Sequence, residues 1–167
     1  MMKKTSKTLT ISTSRFGDVK YEESMIFLSP KGIPGFENMR RWLLVGEDDS
    51  TIKHLQNLED GGLALPVAVP QQLFPDYSVK IPREFLDDVK AEDERDLGVL
   101  LILTVPSGAI WDMTVNMRAP ILIGLSSRLM LQAILPDEFL SLRRPLWNQA
   151  QRDEMKSKIQ QSSLNGE

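Results

Sequence analysis

Residues 98–135, GVLLILTVPSGAIWDMTVNMRAPILIGLSSRLMLQAIL, decide the fold. The stretch opens with an apolar run rich in strand-forming residues, and residues 106–108 end that run with turn chemistry. Apolar and polar residues then alternate over residues 111–118, a period that indicates a strand with one buried face and one wet face. Pro120 interrupts this strand, and a short turn separates two further apolar runs. Because a parallel crossover needs about a dozen residues or more, these short connections predict a four-stranded antiparallel meander at the core of the fold.

The rest of the chain repeats the strand pattern in short segments. About ten strand-like segments stand against one clear helix, which begins near Pro82 and places Leu86 and Val89 on one face. Because a long antiparallel sheet closes or folds over to hide its edges, the sequence predicts a mainly β, small antiparallel barrel-like domain with one or two short helices. No linker divides residues 1–147, which we assign to this β-barrel domain. The polar residues 148–167 predict a partly helical or disordered C-terminal tail.

Composition restricts the classes of protein to which the chain can belong. It has 167 residues, of which 41% are hydrophobic and 26% are charged, and these values are typical of a soluble globular protein. No apolar stretch approaches the roughly 20 residues of a membrane-spanning helix, and the net charge of −3 argues against direct binding of nucleic acid. The N-terminal residues are basic but lack the apolar segment of a signal peptide. We therefore expect a cytoplasmic protein that contacts neither membrane nor nucleic acid.

The inventory of reactive side chains predicts a protein without catalytic activity. His54 is the single histidine, cysteine is absent, and no acidic residue near His54 has the spacing of a second metal ligand. Motifs of nucleophilic hydrolases, P-loops and dinucleotide-binding folds are also absent. The acidic run at residues 87–96 lacks the alternation and the central glycine of a calcium-binding loop. We therefore predict no cofactor, no metal and no enzymatic reaction.

Two proline-stiffened loops are candidate surfaces for a protein partner. Ile33 and Phe36 lie in the first loop, and Phe74 and Tyr77 lie in the second. Side chains on such a backbone lose little conformational entropy when a partner buries them, which favours binding. The alternative interpretation is that the aromatic side chains of Phe36, Phe74 and Tyr77 plug the ends of the barrel.

Charged and polar side chains provide a second set of candidates. Four acidic residues on the predicted helix and its exit indicate a surface that attracts a basic partner: Asp87, Asp88, Asp93 and Glu94. Asn116 and Arg118 lie on the polar face of the central strand and are candidate partner contacts. The alternative interpretations are a solvated helix face for the acidic residues and a structural amide at a strand end for Asn116.

Residues 114–123, TVNMRAPILI, resemble the TxNLxAPIxIN signature of the FliW family of flagellar assembly factors. Upstream segments resemble the same family in the same order: GIPGFE at 32–37, LQNLED at 55–60 with LAL at 63–65, and FPDY at 74–77. Together these segments cover nearly the whole chain. Two positions depart from the family pattern, because Met117 stands where leucine is usual and Val69 precedes Pro70 where Asp or Asn is usual.

This resemblance implies a non-enzymatic cytoplasmic protein with two protein partners. Such a protein binds flagellin and antagonises CsrA, an RNA-binding translational repressor, so that the flagellin level is coupled to flagellin translation. We expect a groove lined by residues 33–36 and 74–77 to accept flagellin, and the acidic residues at 87–96 to face CsrA. The alternative is a small β-barrel that binds a metabolite or is an enzyme with an unrecognised site, and an enclosed polar pocket around His54 would favour it.

Overall fold

The computed structural model describes residues 7–165 and is built mainly of β-strands. The strands are β1 (Thr8–Thr13), β2 (Gly17–Glu22), β3 (Phe27–Leu28), β4 (Arg41–Val45), β5 (Lys53–Asn57), β6 (Ala64–Ala68), β7 (Leu97–Thr104), β8 (Thr114–Val115), β9 (Ile121–Gly124), β10 (Met130–Gln132) and β11 (Arg144–Pro145). The helices are α1 (Pro70–Leu73), α2 (Arg83–Asp88) and α3 (Gln149–Asn165). Short 3₁₀ turns occupy Glu23–Met25, Glu94–Asp96 and Ile110–Asp112.

The strand ladders are antiparallel, which confirms the predicted mainly β, antiparallel class. β1 and β2 form a separate hairpin, and the main path of the large sheet runs β10-β9-β7-β6-β5-β4-β3. The two ends of that path meet through a single parallel bridge between Leu28 and Leu129. The sheet therefore curls round on itself but does not close into a continuous barrel.

β7 is the central strand, with β6 along one edge and first β9 and then β8 along the other. Continuing the β8 register would place Arg118 opposite Leu100, but Ile121 lies there, so the register slips by three residues. The strand predicted at residues 111–118 is therefore too long, because a 3₁₀ turn precedes the short β8 and a bulge at 116–120 follows it. Burial nevertheless alternates from Met113 to Ala119, as the period of two predicts.

Four buried clusters form the core. One contains Trp42, Leu55 and Ile121, each fully buried, and full burial of such a side chain stabilises the fold by about 1.5–3 kcal/mol. A second, which we call the β7–β8 cluster, is built on Leu101 and Val115. Half-buried side chains from outside the sheet pack against the β7–β8 cluster, among them Phe74, Tyr77, Leu140 and Trp147. This packing fixes the loops that carry them.

The helices lie at the margins of the sheet. α2 follows Pro82, whose fixed φ suits a helix start, and it buries Leu86, while Val89 just beyond its end is also buried. α3 is mostly exposed and contacts the body through an Arg152–Asp112 ion pair at 4.0 Å. None of the helices within residues 7–165 combines the length and apolar character needed to cross a membrane. The division of the chain after residue 147 stays a prediction.

Candidate functional site

The loop at residues 74–77 is held rigidly against the β7–β8 cluster. The Phe74 N–H donates to the Pro70 oxygen at 2.8 Å, and the Tyr77 N–H donates to the Phe74 oxygen at 2.9 Å. The Tyr77 hydroxyl lies 3.3 Å from the Met117 main-chain oxygen, to which it donates. Partial burial raises the pKa of Tyr77, so the hydroxyl keeps the proton that it donates. The loop is therefore organised before a partner arrives.

A cavity of about 350 Å³ opens beside this loop. Its walls combine Phe74 and Tyr77 with Met117, Leu140 and Arg144, and we call it the Phe74 groove. The Arg144 guanidinium lies over the Phe74 ring, 4.2 Å from the ring centroid, where the face of the ring attracts the cation. The groove thus combines aromatic and aliphatic side chains with polar ones, and a carboxylate, that of Asp76, lines it together with the Arg144 guanidinium.

The loop at residues 136–142, which we call the Phe139 loop, carries an aromatic residue that the sequence analysis missed. Phe139 is 99% exposed. The loop is nevertheless ordered, because the Phe139 N–H donates to Asp137 Oδ1 at 2.9 Å and the Met117 N–H donates to the Ser141 oxygen at 2.8 Å. When a partner covers a fully exposed phenylalanine, the burial of its apolar surface stabilises the complex, and a fixed backbone keeps the entropic cost of binding low. Phe139 is therefore a candidate anchor for a protein partner.

The Phe139 loop and the Phe74 groove form one continuous surface. A second cavity, of about 330 Å³, lies between the segment at residues 78–82 and the start of the Phe139 loop, and it shares Ser78 and Leu140 with the Phe74 groove. Ile134 and Leu142 at the two ends of the loop are each more than half exposed. The combined surface presents several exposed apolar side chains along its length, so it suits an elongated apolar segment of a partner.

The loop at residues 33–36 lies beside a different groove. Ile33 is 2% exposed and belongs to the core, whereas Phe36 is 37% exposed. The groove beside this loop has a volume of about 420 Å³, and Phe85 and Asp88 from α2 line it together with β10. None of the residues of the 74–77 loop lines it. The structure therefore places the two loops at separate grooves, and the single groove predicted from the sequence is wrong.

Asn116 and Arg118 use their side chains within the chain. Asn116 Oδ1 accepts the Arg118 N–H at 3.1 Å and the Ala119 N–H at 2.9 Å, which fixes the bulge between β8 and β9. Arg118 Nε donates to the Leu135 main-chain oxygen at 3.1 Å. Both side chains are half-buried. Their contacts fit the alternative interpretation of Asn116 as a structural amide, and they make Arg118 a positioning residue for the Phe139 loop.

The four acidic candidates are interleaved with cations. Asp87 pairs with Arg83 at 3.3 Å, and Asp93 pairs with Arg95 at 3.0 Å. Hydrogen bonds from Arg95 hold the pKa of Asp93 below its usual value. Among residues 7–165, neither Asp88 nor Glu94 has a cation within ion-pair distance. The acidic surface is therefore less negative than four unpaired carboxylates would make it.

His54 is a half-buried residue of β5 rather than part of a polar pocket. Its ring meets the Phe16 ring edge to face, with centroids 5.3 Å apart. Burial lowers the pKa of His54, and the nearby charge of Arg15 lowers it further. The walls of the three cavities described above do not include His54. Within residues 7–165, no three His, Asp or Glu side chains are grouped so that they could hold a metal ion.

Comparison with known proteins gives one consistent match. Residues 10–146 match the family model described as FliW protein. The flagellar assembly factor FliW of Thermotoga maritima is 34% identical over 140 residues, covering 83% of this chain and 94% of that protein. The flagellar assembly factor FliW of Clostridium tetani is 30% identical over 142 residues, covering 84% of this chain and 97% of that protein.

A solved structure is similar over the same region. The crystal structure of a flagellar assembly factor FliW superposes with a TM-score of 0.77 at 28% identity, covering 84% of this chain and 98% of that chain. The residues matched by the family model contain both grooves and the Phe139 loop, and α3 lies beyond them.

Proposed function

The chain belongs to the FliW family, and from that premise we propose that it is a non-enzymatic, cytoplasmic flagellar assembly factor that binds flagellin and antagonises the translational repressor CsrA. The relatives and the solved structure named above are flagellar assembly factors, and the match covers nearly their whole length. Free protein sequesters CsrA and relieves repression of flagellin messenger RNA. Accumulating flagellin then binds the protein and releases CsrA, so flagellin translation follows flagellin demand.

Flagellin binds, in this proposal, along the Phe74 groove and the Phe139 loop. Flagellin termini are helical and apolar when assembled, so before export they present an apolar stripe that a groove can cover. The observation that carries this assignment is the fully exposed Phe139 held beside a preformed groove whose walls include Phe74, Tyr77 and Leu140. Covering such a surface before export gives the protein the character of a chaperone for its partner.

CsrA binds, in this proposal, on the acidic side of α2 and its exit. A protein that grips RNA presents basic surface, and carboxylates opposite that surface speed encounter. Asp88 and Glu94 are exposed, and neither is within ion-pair distance of a cation among residues 7–165. Asp87 and Asp93 belong to the same acidic surface but contribute less negative charge, because each pairs with an arginine.

The two proposed surfaces are connected by one stretch of chain. Residues 74–80 and Pro82 line the Phe74 groove and the cavity next to it, and this stretch leads directly into α2. A partner that moves this stretch at one surface changes the other surface as well. By linkage, the loss of CsrA affinity caused by flagellin equals the loss of flagellin affinity caused by CsrA.

A binding experiment with the full chain tests the proposal. Purified flagellin and purified CsrA are titrated separately and then together onto the immobilised protein. We expect each partner to bind alone, and each to raise the apparent dissociation constant of the other by the same factor. Failure of both partners to bind the folded chain contradicts the proposed function. Independent binding of both, without mutual weakening, contradicts the antagonism alone.

A further inference from the structure

The gap between the two edge strands of the large sheet begins at a proline. The Leu28 N–H donates to the Arg128 oxygen at 2.9 Å, which forms one rung of a parallel ladder between β3 and the start of β10. The next rung would need the N–H of residue 30 to donate to the Met130 oxygen. Pro30 has no N–H, so the ladder stops there and the two chains separate.

The outer edge of β10 is left without a neighbouring strand beyond this point. The Leu129 oxygen accepts the Gly124 N–H at 2.8 Å, and the Ala133 N–H donates to the Pro120 oxygen at 2.9 Å, so odd-numbered residues here face the β9 side. Because successive residues of a strand alternate, the main-chain groups of Met130 and Gln132 face the other side. Within residues 7–165, the ladder of β10 with β9 leaves the Met130 oxygen, the Gln132 N–H and the Gln132 oxygen without a main-chain partner.

The groove at this edge is shaped and charged. The groove has a volume of about 420 Å³ and is lined by residues of the loop from Pro30 to Glu37, by Phe85 and Asp88, and by the three residues of β10. Gly32 adopts a φ of +69°, and a side chain there would collide with the Glu37 backbone, so the loop has one tight conformation. Two carboxylates, Glu37 and Asp88, line the groove against one ammonium group, that of Lys31.

We propose that this groove binds an extended, basic peptide segment of a protein partner, which pairs with β10 as an additional strand. The exposed main-chain groups of β10 supply the hydrogen bonds of β-augmentation, in which alternate side chains of the added strand enter pockets. An apolar side chain packs against Phe85, and a lysine or arginine faces Asp88 and Glu37. This groove shares Asp88 with the surface assigned above to CsrA, but the inference rests on the main-chain groups of β10 and does not depend on the binding of flagellin or CsrA.

The shortness of β10 favours a free segment over a second copy of the chain. β10 has three residues and shares the groove with Phe85 and Asp88, and a volume of about 420 Å³ suits a short peptide segment rather than the edge of a folded domain. A single extended chain needs only the width of one strand, about 5 Å.

Selection from a peptide library tests the proposal even though the partner protein is unidentified. A phage-displayed library of random peptides of about eight residues is panned on the full chain, and enriched peptides are synthesised for anisotropy titrations. We expect enriched sequences in which apolar residues alternate with others that include lysine or arginine. Asp88→Lys should raise the dissociation constant about tenfold or more, whereas Asp48→Lys, at an exposed carboxylate that does not line the groove, should change it less than twofold.

Main-chain pairing has its own readout. N-methylation of alternate peptide bonds of the selected peptide should abolish binding. The main-chain N–H of Gln132 should exchange its hydrogen with solvent more slowly in the complex than in the free protein. The proposal is overturned if selection yields no such sequences, if N-methylated peptides bind equally well, or if the Gln132 amide exchanges at an unchanged rate. Binding confined to a small apolar molecule, or formation of a dimer through β10, would also overturn it.

Discussion

The Nε of Arg118 donates a hydrogen bond to the main-chain oxygen of Leu135 at 3.1 Å, across the bulge that separates β8 from β9. The Leu135 N–H donates back to the Arg118 oxygen at 2.9 Å, so the two residues are tied by a reciprocal pair of bonds. Leu135 is the buried residue from which the Phe139 loop departs. Arg118 therefore positions the Phe139 loop indirectly, by fixing the main chain of Leu135 at the point where the loop begins.

Replacing Arg118 by alanine should destabilise the protein and loosen the Phe139 loop. The change removes one hydrogen bond from a charged donor and leaves a buried carbonyl short of a partner, at a cost of about 1–3 kcal/mol. Urea unfolding measures the loss of free energy, and amide exchange at Phe139 reports the loop. Arg143→Ala is the matched control, because Arg143 is exposed and forms no side-chain ion pair within residues 7–165. Equal behaviour of the two variants would contradict the positioning role.

Phe139→Ala should weaken flagellin binding without changing stability. The side chain is 99% exposed, so its removal costs the free protein almost nothing, whereas an anchor in a complex contributes about 2 kcal/mol or more. Titration of flagellin and urea unfolding measure the two quantities. Leu164→Ala removes another exposed apolar side chain, 85% exposed on α3, and should leave both unchanged. If Phe139→Ala binds flagellin like the parent, Phe139 is not an anchor.

The sequence predicts those structural features that follow a periodic pattern of apolar residues, and it does not predict those that depend on single contacts. The alternation at residues 111–118 predicts the buried faces of Met113, Val115 and Met117 correctly, because burial follows the period of the pattern. The extent of β8 could not be predicted, because the bulge depends on hydrogen bonds made by the Asn116 side chain. The antiparallel class follows from the short connections between the strands. The gap between β3 and β10 could not be predicted in this way, because it depends on one hydrogen bond that Pro30 cannot donate.

The candidate surfaces were predicted less well because they depend on tertiary position. Ile33 and Phe36 are neighbours in one loop, yet one is in the core and the other is exposed. Phe139 has no periodic partner, and its only sequence signal is an aromatic residue directly after Asp137 and Glu138. The Asp87–Arg83 pair does have helical spacing, so it could have been inferred from the sequence and would have reduced the predicted acidic surface.

Tyr77→Ala should weaken flagellin binding by about 1–3 kcal/mol, because it removes one wall of the Phe74 groove. Tyr77→Phe keeps the wall but loses the hydroxyl that contacts the Met117 oxygen, so it should keep most of the affinity. Calorimetric titration with flagellin separates the two variants. Parent-like binding by a folded Tyr77→Ala protein would move the flagellin site away from this groove.

Stability should fall as the pH decreases through about 6.5, the ordinary pKa of histidine. Burial, followed by the charge of Arg15, lowers the pKa of His54 in the folded protein, so the unfolded chain takes up a proton at a higher pH than the folded chain. The stabilisation is therefore complete above the unfolded pKa and is lost as the pH falls from there toward the folded pKa. Urea unfolding at several pH values measures the slope. His54→Gln should flatten this slope, and an unchanged slope would show that other groups cause it.

Neutralising the four acidic candidates should slow association with CsrA and leave dissociation nearly unchanged. Asp87→Asn, Asp88→Asn, Asp93→Asn and Glu94→Gln are combined in one variant. Exposed charges contribute about 0–1 kcal/mol each to affinity, but a set of them accelerates encounter at low salt. Because Asp87 and Asp93 already face arginines, the variant also exposes two unpaired cations, which adds to the repulsion of a basic partner.

Association rates at two salt concentrations decide whether these acidic residues face CsrA. The variant should associate more slowly than the parent at low salt and should show a flatter salt dependence, because fewer charges steer the encounter. A second variant removes four exposed acidic residues elsewhere, Glu23, Glu47, Asp48 and Asp49, and so matches the change in net charge. Flagellin binding serves as the internal control, since the proposed flagellin contact is apolar and should keep its affinity in both variants. If the first variant associates with CsrA at the parent's rate and salt slope, or no more slowly than the second, the acidic residues at 87–96 are only a solvated face.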